Sequence, residues 1–323
     1  MSGDGAALGA RLRERDLSAA PAALNLLESA TPADRAQSAA LLAEVSPKAL
    51  GGEAPGHVIG ITGPPGAGKS TLLSALLHAW RSSADDAGPQ TVAILAVDPS
   101  SRRSGGALLG DRARIELDAA DRGVLVRSTA AEERLGGLAW PTRAAAHALA
   151  AAFDVVVIET VGVGQGETEI VDVADTVAVV VQPGSGDALQ FLKSGIMEIP
   201  DVLVVTKADL GQLATRTRRD LSAALRSLGS RSTPVLAVSS LPPPQGVEEL
   251  IAALAAHRAG LDLAGRRLRA RRASALADYT HEHGERGLRA LGGRHAAEAL
   301  LAEQEPGLDV PALVAALEGT PPR

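Results

Sequence analysis

The stretch HVIGITGPPGAGKSTLLSALLHAWRSS, residues 57–83, decides the fold. HVIGIT is apolar and β-branched and predicts a strand. GPPGAGKS, residues 63–70, is a glycine-rich turn, and STLLSALLHAWRSS has leucines at helical spacing. Gly63, four residues, then Gly68-Lys69-Ser70 matches the loop pattern that cradles phosphates. Each part has a physical task. The glycines let the backbone curl so that several N–H groups face one anion. The helix N-terminus adds the positive end of its dipole. Lys69 is placed to reach β and γ phosphates, and the Ser70 hydroxyl to ligate magnesium. Pro64, Pro65, Gly66, Ala67 and Thr71 complete the candidate contact set. The plain alternative is a chance glycine-rich turn, but strand and helix sit where a phosphate loop needs them.

Outward from this turn, strand-like and helical segments alternate from His57 to about His257. TVAILAVD, GVLVRST, DVVVIE, TVAVVV, DVLVVTK and PVLAVS follow in order. They are apolar on both faces, as parallel strands covered by helices are. The alternation predicts an α/β domain with a doubly wound, mostly parallel sheet, flanked by N-terminal helices and a C-terminal helical arm. Ligands in such sheets sit at the carboxyl ends of strands. Three segments are expected: helices over 1–50, the phosphate-loop domain over 51–258, and a helical arm over 259–323. Thr31-Pro32 predicts a helix start with a hydroxyl cap, running to about Val45. SPKALGGEAPG reads as a linker, and the arginine-rich run after Gly260 as a solvated helix face.

Composition sets limits. A chain of 323 residues with net charge −6 lacks the basic excess of a nucleic-acid binder. Aromatics are 2%, too few for stacking platforms on single strands. No cysteine is present, which excludes disulfides and thiolate metal sites. No apolar run is long enough to span a bilayer, and MSGDGAALGARLRERDL lacks the apolar core of a secretory signal. A soluble, cytoplasmic protein is expected.

VVTKAD, residues 204–209, ends another predicted strand and fits a guanine-reading turn, with Thr206 where asparagine is more usual. The Asp209 carboxylate can take two hydrogen bonds from guanine, whereas adenine would leave a buried carboxylate unsatisfied. The alkyl stem of Lys207 would cover one face of the base. Amides near Ser239 and Ser240, with Leu241 beyond, are expected at the guanine carbonyl. VVIETVGVGQGETEI, residues 156–170, ends its strand in Glu159 with Gly162 three residues on, a metal- and γ-phosphate-sensing spacing. Asp98 ends a strand and Asp111 lies beyond a glycine-rich loop; alone, Asp111 reads equally as a further metal-site acid or as a surface acid or helix cap.

With DPSS…SGGALLGDRARI, ETVGVGQGETEI, QPGSGDALQFLKSGIMEIPD and TKAD in this order, the chain resembles the MeaB/ArgK family of GTPases over nearly its whole length. The resemblance implies slow GTP hydrolysis, with GTP and GDP as ligands and Mg2+ held by Ser70, Asp98, Asp111 and Glu159. It gives catalytic roles to Lys69, Asp111, Glu159 and Gly162. It also implies a homodimer acting as chaperone of an adenosylcobalamin-dependent acyl-CoA mutase, gating cofactor loading and protecting the mutase. Asp187 and Lys193 match polar residues of a segment through which the partner controls hydrolysis. DALQFLKSG departs there from the more frequent DELQGIKKG. Gln165 invites comparison with a water-positioning glutamine, though its spacing favours a structural role. Arg102, Arg103, Arg112 and Arg114 are the candidates for an arginine finger.

Two other classes stay open. A kinase or transport ATPase predicts ATP use, against which the Lys207/Asp209 pair stands. A metal-delivery GTPase predicts histidine or cysteine clusters, and His281-Glu282-His283 is the one close histidine pair.

Overall fold

The structure is a computed structural model and describes residues 4–29, 31–82, 88–98, 120–130, 138–160, 169–184, 200–227, 229 and 232–319. Helices in chain order are α1 (Gly5–Arg13), α2 (Ala20–Leu27), α3 (Pro32–Glu44), α4 (Pro47–Leu50), α5 (Lys69–Ser82) and α6 (Trp140–Ala150). They continue with α7 (Gln212–Ser227), α8 (Val247–Ala259), α9 (Leu263–Ala290), α10 (Arg294–Ala302) and α11 (Val310–Glu318). Strands are β1 (His57–Thr62), β2 (Val92–Asp98), β3 (Val124–Ala130), β4 (Val155–Glu159), β5 (Thr176–Val181), β6 (Val202–Val205) and β7 (Val235–Ala237).

The described residues group into two compact units. An α/β unit spans His57–Ala139 and Asp154–Leu261, and a helical unit gathers Met1–Gly56, Trp140–Phe153 and Asp262–Arg323. The grouping assigns α6 to the helical unit, although it lies between two strands in sequence.

In the α/β unit one seven-stranded sheet runs β3-β2-β4-β1-β5-β6-β7. Every strand pairing in it is parallel. β1 is central. The next three strands build out on its β4 side and the last three on its β5 side, so the topological switch falls at β1. On one face Ile59, Ile61, Val155, Val157, Val180 and Val204 pack with Leu72, Leu73, Leu76 and Trp80 of α5 and Leu250 and Leu254 of α8. The alternate residues Val156, Ile158, Val177, Val179 and Leu203 are buried as well. The continuous apolar runs of the sequence follow from this double coverage.

Three aspartates at strand entrances set the register. Asp154 Oδ2 accepts from Thr91 N at 2.8 Å, Asp175 Oδ2 from Val58 N at 2.9 Å and Asp201 Oδ2 from Val177 N at 2.9 Å. Each satisfies a backbone donor that the ladder would otherwise leave at its end.

The helical unit has its own core, in which Tyr279, Leu288, Leu291, Leu301, Leu313 and Leu317 take part. Thr31 Oγ1 caps α3 by accepting from Asp34 N at 3.2 Å. SPKAL, expected as linker, forms α4: Ser46 Oγ accepts from Ala49 N at 3.2 Å, Pro47 opens the turn, and Gly51 ends it with φ 72°. Proline after a hydroxyl starts a helix here instead of breaking one. The arginine run corrects a second expectation. Arg267 and Arg271 are 5% and 4% exposed, not solvated. Arg267 donates to Ala54 O and Gly56 O, both at 2.6 Å, and Arg271 forks onto the Glu53 carboxylate with two bonds of 2.9 Å. Buried guanidiniums need such partners. The helical pattern is also interrupted at Gly284, whose φ of 62° and ψ of −173° kink α9.

Candidate nucleotide site

The carboxyl ends of β1, β4, β5 and β6 carry most of the described residues singled out above. Past Thr62 the chain turns at Gly63 with φ 143°. A Cβ there would lie 2.0 Å from Val180 O of β5, so only glycine lets the loop pass that strand. Gly66 has φ 76° with open space around it, so conformation alone selects glycine. α5 begins at Lys69, and Leu72 N donates to Gly68 O at 2.9 Å. The amides of Lys69, Ser70 and Thr71 therefore form the first helical turn, which has no acceptors within the helix. They present the positive end of the helix dipole beside the loop.

Lys69 is buried and folds back over the turn, donating from Nζ to Gly63 O at 2.6 Å and Pro64 O at 3.2 Å. Ser70 Oγ donates to Glu159 Oε1 at 2.9 Å, and Glu159, the last residue of β4, is buried. This donor set suits a hard cation. Magnesium takes oxygen ligands at about 2.0–2.1 Å in octahedral geometry, which sets neighbouring oxygens about 3 Å apart. Asp98 ends β2; its side chain, and Asp111, Gly162, Gln165, Asp187 and Lys193, lie outside the described residues, as do the four candidate finger arginines.

The turn that follows β6 is tied to the phosphate loop. Thr206 Oγ1 donates to Ala67 O at 2.6 Å, with Val181 O at 3.1 Å, and Thr206 N donates to Val181 O at 2.9 Å. Lys207 adopts the left-handed conformation, φ 53° and ψ 43°, which costs a non-glycine residue about 1–2 kcal/mol. Its Nζ donates to Gln182 Oε1 at 2.6 Å and Gly66 O at 3.3 Å. Ala208 N donates to Val238 O at 3.1 Å. Ser239 Oγ donates to Asp209 Oδ1 at 2.9 Å and so orients the carboxylate.

Two details differ from the sequence expectations. Asp209 is exposed, not buried, because it lies on the surface turn Ala208–Leu210 between exposed Lys207 and Leu210. The Ser239 amide is committed to Gln245 O at 3.0 Å, in a bridge that Gln245 N returns to Ser239 O at 2.9 Å. Ser240 is half-buried and Leu241 is 58% exposed, next along this rim.

Sequence reasoning passed over Thr62, Thr160 and Gln182. Thr160 Oγ1 donates to Thr62 Oγ1 at 2.8 Å and Thr160 N to Ile61 O at 3.0 Å, pinning the ends of β1 and β4 together. Their signal in sequence is slight: a hydroxyl at the end of each of two apolar runs. In the helical unit, His283 Nε2 bonds Glu318 Oε1 at 3.0 Å and its ring lies 4.5 Å from that of Tyr279. Glu282, His283 and Glu318 are all exposed, with one ligand atom of each within 4.8 Å of the others.

A parallel sheet of this order, with a glycine-rich loop after the central strand and Lys-Ser opening the next helix, defines a P-loop α/β fold. A crystal structure described as the LAO/AO transport system kinase is similar, with TM-score 0.65, 26% identity, and coverage of 97% of this chain and 96% of that one. The model of the methylmalonyl-CoA mutase-associated GTPase MeaB family matches residues 20–287, and the chain belongs to that family. A Pyrococcus abyssi protein named as a GTPase is 44% identical over 218 residues, 65% of each chain. The Caenorhabditis elegans mitochondrial homologue of the methylmalonic aciduria type A protein is 35% identical over 247 residues, 72% of this chain. The chain spans 65% of the length of the first relative and 60% of the second. Among the described residues no helix is long and apolar enough to cross a membrane.

Proposed function

We propose that this chain binds guanine nucleotides, hydrolyses GTP to GDP and phosphate, and acts as a G-protein chaperone of an adenosylcobalamin-dependent acyl-CoA mutase, most simply methylmalonyl-CoA mutase. One observation carries the nucleotide part. The bonds from Thr206 to Ala67 O and from Lys207 to Gly66 O hold the base-reading turn and the phosphate loop as one site. Asp209, oriented by Ser239, takes two hydrogen bonds from the guanine ring N–H and amino group, and adenine offers no such pair. The Lys207 stem covers one face of the base, and, with the Ser239 amide committed to Gln245 O, the amide near Ser240 is left to contact its carbonyl oxygen.

In hydrolysis the water oxygen bonds to the γ phosphorus, the bond to the β–γ bridging oxygen breaks, and GDP leaves with that electron pair. Lys69 and the first-turn amides of α5 stabilise the charge that develops on the phosphate oxygens. Ser70 and Glu159, with Asp98 and Asp111 as the family pattern implies, would hold Mg2+, which when bound neutralises phosphate charge. Asp187 and Lys193 belong to the segment through which the partner sets the rate. A homodimer through the C-terminal arm and a cytoplasmic site of action complete the proposal. The family description and the nematode relative's name support the link to the mutase.

Phosphate release with magnesium tests the whole. Slow release from GTP and none above background from ATP is expected, with Lys69→Ala abolishing it and a purified acyl-CoA mutase raising it. Equal turnover of ATP would overturn the guanine assignment, and equal turnover with and without mutase the chaperone assignment.

A further inference from the structure

Gln182 is the first residue after β5, and neither the phosphate loop nor the base-reading turn contains it. Its side-chain carbonyl nevertheless makes the shorter of the two bonds described for the Lys207 ammonium, 2.6 Å against 3.3 Å to Gly66 O. Lys207 needs such a hold. Its backbone is left-handed, its side chain is exposed, and a four-carbon stem free at its tip samples many rotamers. A stem that is to lie flat on a base must be fixed at both ends. The left-handed backbone fixes one end and Gln182 fixes the other.

The chemistry of the acceptor matters too. A glutamine carbonyl accepts one N–H without cancelling the positive charge, so the ammonium stays cationic beside the loop that receives phosphates. A carboxylate in its place would hold the lysine more tightly but neutralise it.

We propose that Gln182 is a positioning residue for the base: it anchors the Lys207 ammonium so that the alkyl stem covers the guanine face. This rests on the assignment of Lys207 and Asp209 to guanine. Because the contact is with the base, its loss weakens GDP and GTP by the same factor. It leaves inorganic tripolyphosphate, which has no base, unaffected.

The variant Gln182→Met keeps length and removes the acceptor, and Gln182→Glu restores an acceptor. Dissociation constants for GDP, GTP and tripolyphosphate would be measured on the full chain by calorimetry with magnesium. Losing one bond to a charged donor is expected to raise both nucleotide constants about tenfold in Gln182→Met. Tripolyphosphate binding should stay within twofold, the KM for GTP should rise, and kcat should hold. Gln182→Glu should recover nucleotide affinity with a steeper salt dependence. Unchanged nucleotide affinity in Gln182→Met, or an equal loss for tripolyphosphate, overturns the proposal. Asp209→Asn with a xanthosine nucleotide is the control: if that swap works while Gln182→Met is silent, only the role of Gln182 falls.

Discussion

Replacing Thr206 by valine deletes one oxygen and conserves shape, and the structure says what that oxygen does. The hydroxyl has a single proton and two carbonyl oxygens in reach, Ala67 O at 2.6 Å and Val181 O at 3.1 Å. The proton goes to the nearer. Val181 O keeps the Thr206 amide at 2.9 Å whatever the side chain, so the loss falls on Ala67 O. Ala67 is fully buried, and a buried carbonyl deprived of its donor costs about 1–3 kcal/mol. For a unit of this size 1 kcal/mol corresponds to roughly 2–4 °C, so a mid-range loss lowers the melting temperature by about 4–8 °C. Thr206→Ser keeps the hydroxyl and Thr206→Asn can donate from its amide, so both should melt closer to the parent than valine does. Differential scanning calorimetry on the nucleotide-free chain reads this directly. A valine variant melting within 1 °C of the parent would refute the idea that this bond ties the two loops together.

Other outcomes follow from the same geometry. Burial raises the Asp309 pKa above the ordinary carboxylate value, against smaller opposing effects of the Ala312 amide and Arg271. The folded chain therefore holds that proton more readily than the unfolded chain. The stabilising share is present below the unfolded value and is lost as pH rises through the raised folded one. Asp309→Asn keeps an acceptor for Ala312 N without the buried charge, so it should melt above the parent at pH 7, with the gap closing toward pH 4. Thr176 Oγ1 sits between His57 Nε2 at 2.8 Å and His257 Nδ1 at 2.9 Å. Thr176→Val should lower unfolding stability in urea by about 1–3 kcal/mol, because the shared oxygen is fully buried. The Arg81 guanidinium holds Asp121 below the usual carboxylate value, so that pair's stabilisation is present above pH 3.8 and fades as pH falls. Arg81→Met should accordingly lose more melting temperature at pH 7 than at pH 3, as parallel thermal scans would show.

Much of the architecture could be read from the chain because parallel strands buried on both faces leave unbroken apolar runs. TVAVVV and DVVVIE have no other use for so many β-branched residues. The phosphate loop was legible because positive φ and close passage by Val180 restrict Gly63 and Gly66 to one residue type. Contacts between residues far apart in sequence were not. Thr62 with Thr160, Gln182 with Lys207 and Ser239 with Asp209 join positions 98, 25 and 30 apart. A polar residue at a strand end looks the same whether its partner is water or a distant side chain. The buried arginines failed for a related reason. Arg267 and Arg271 belong to a polar run whose periodicity says nothing of the Glu53–Gly56 carbonyls and carboxylate they meet. Ser46-Pro47 was misread because proline both breaks and begins helices, and only the cap before it distinguishes the two.

The central proposal is that the acid at 209 selects the base. Calorimetry with magnesium on the parent chain and on Asp209→Asn, each titrated with GDP, ADP and the xanthosine diphosphate, tests it most directly. The parent should bind GDP and ignore ADP, and the variant should lose GDP and gain the xanthosine nucleotide, whose extra carbonyl accepts from the new amide. A variant that keeps the parent's GDP affinity, or a parent that binds ADP as well as GDP, would contradict it.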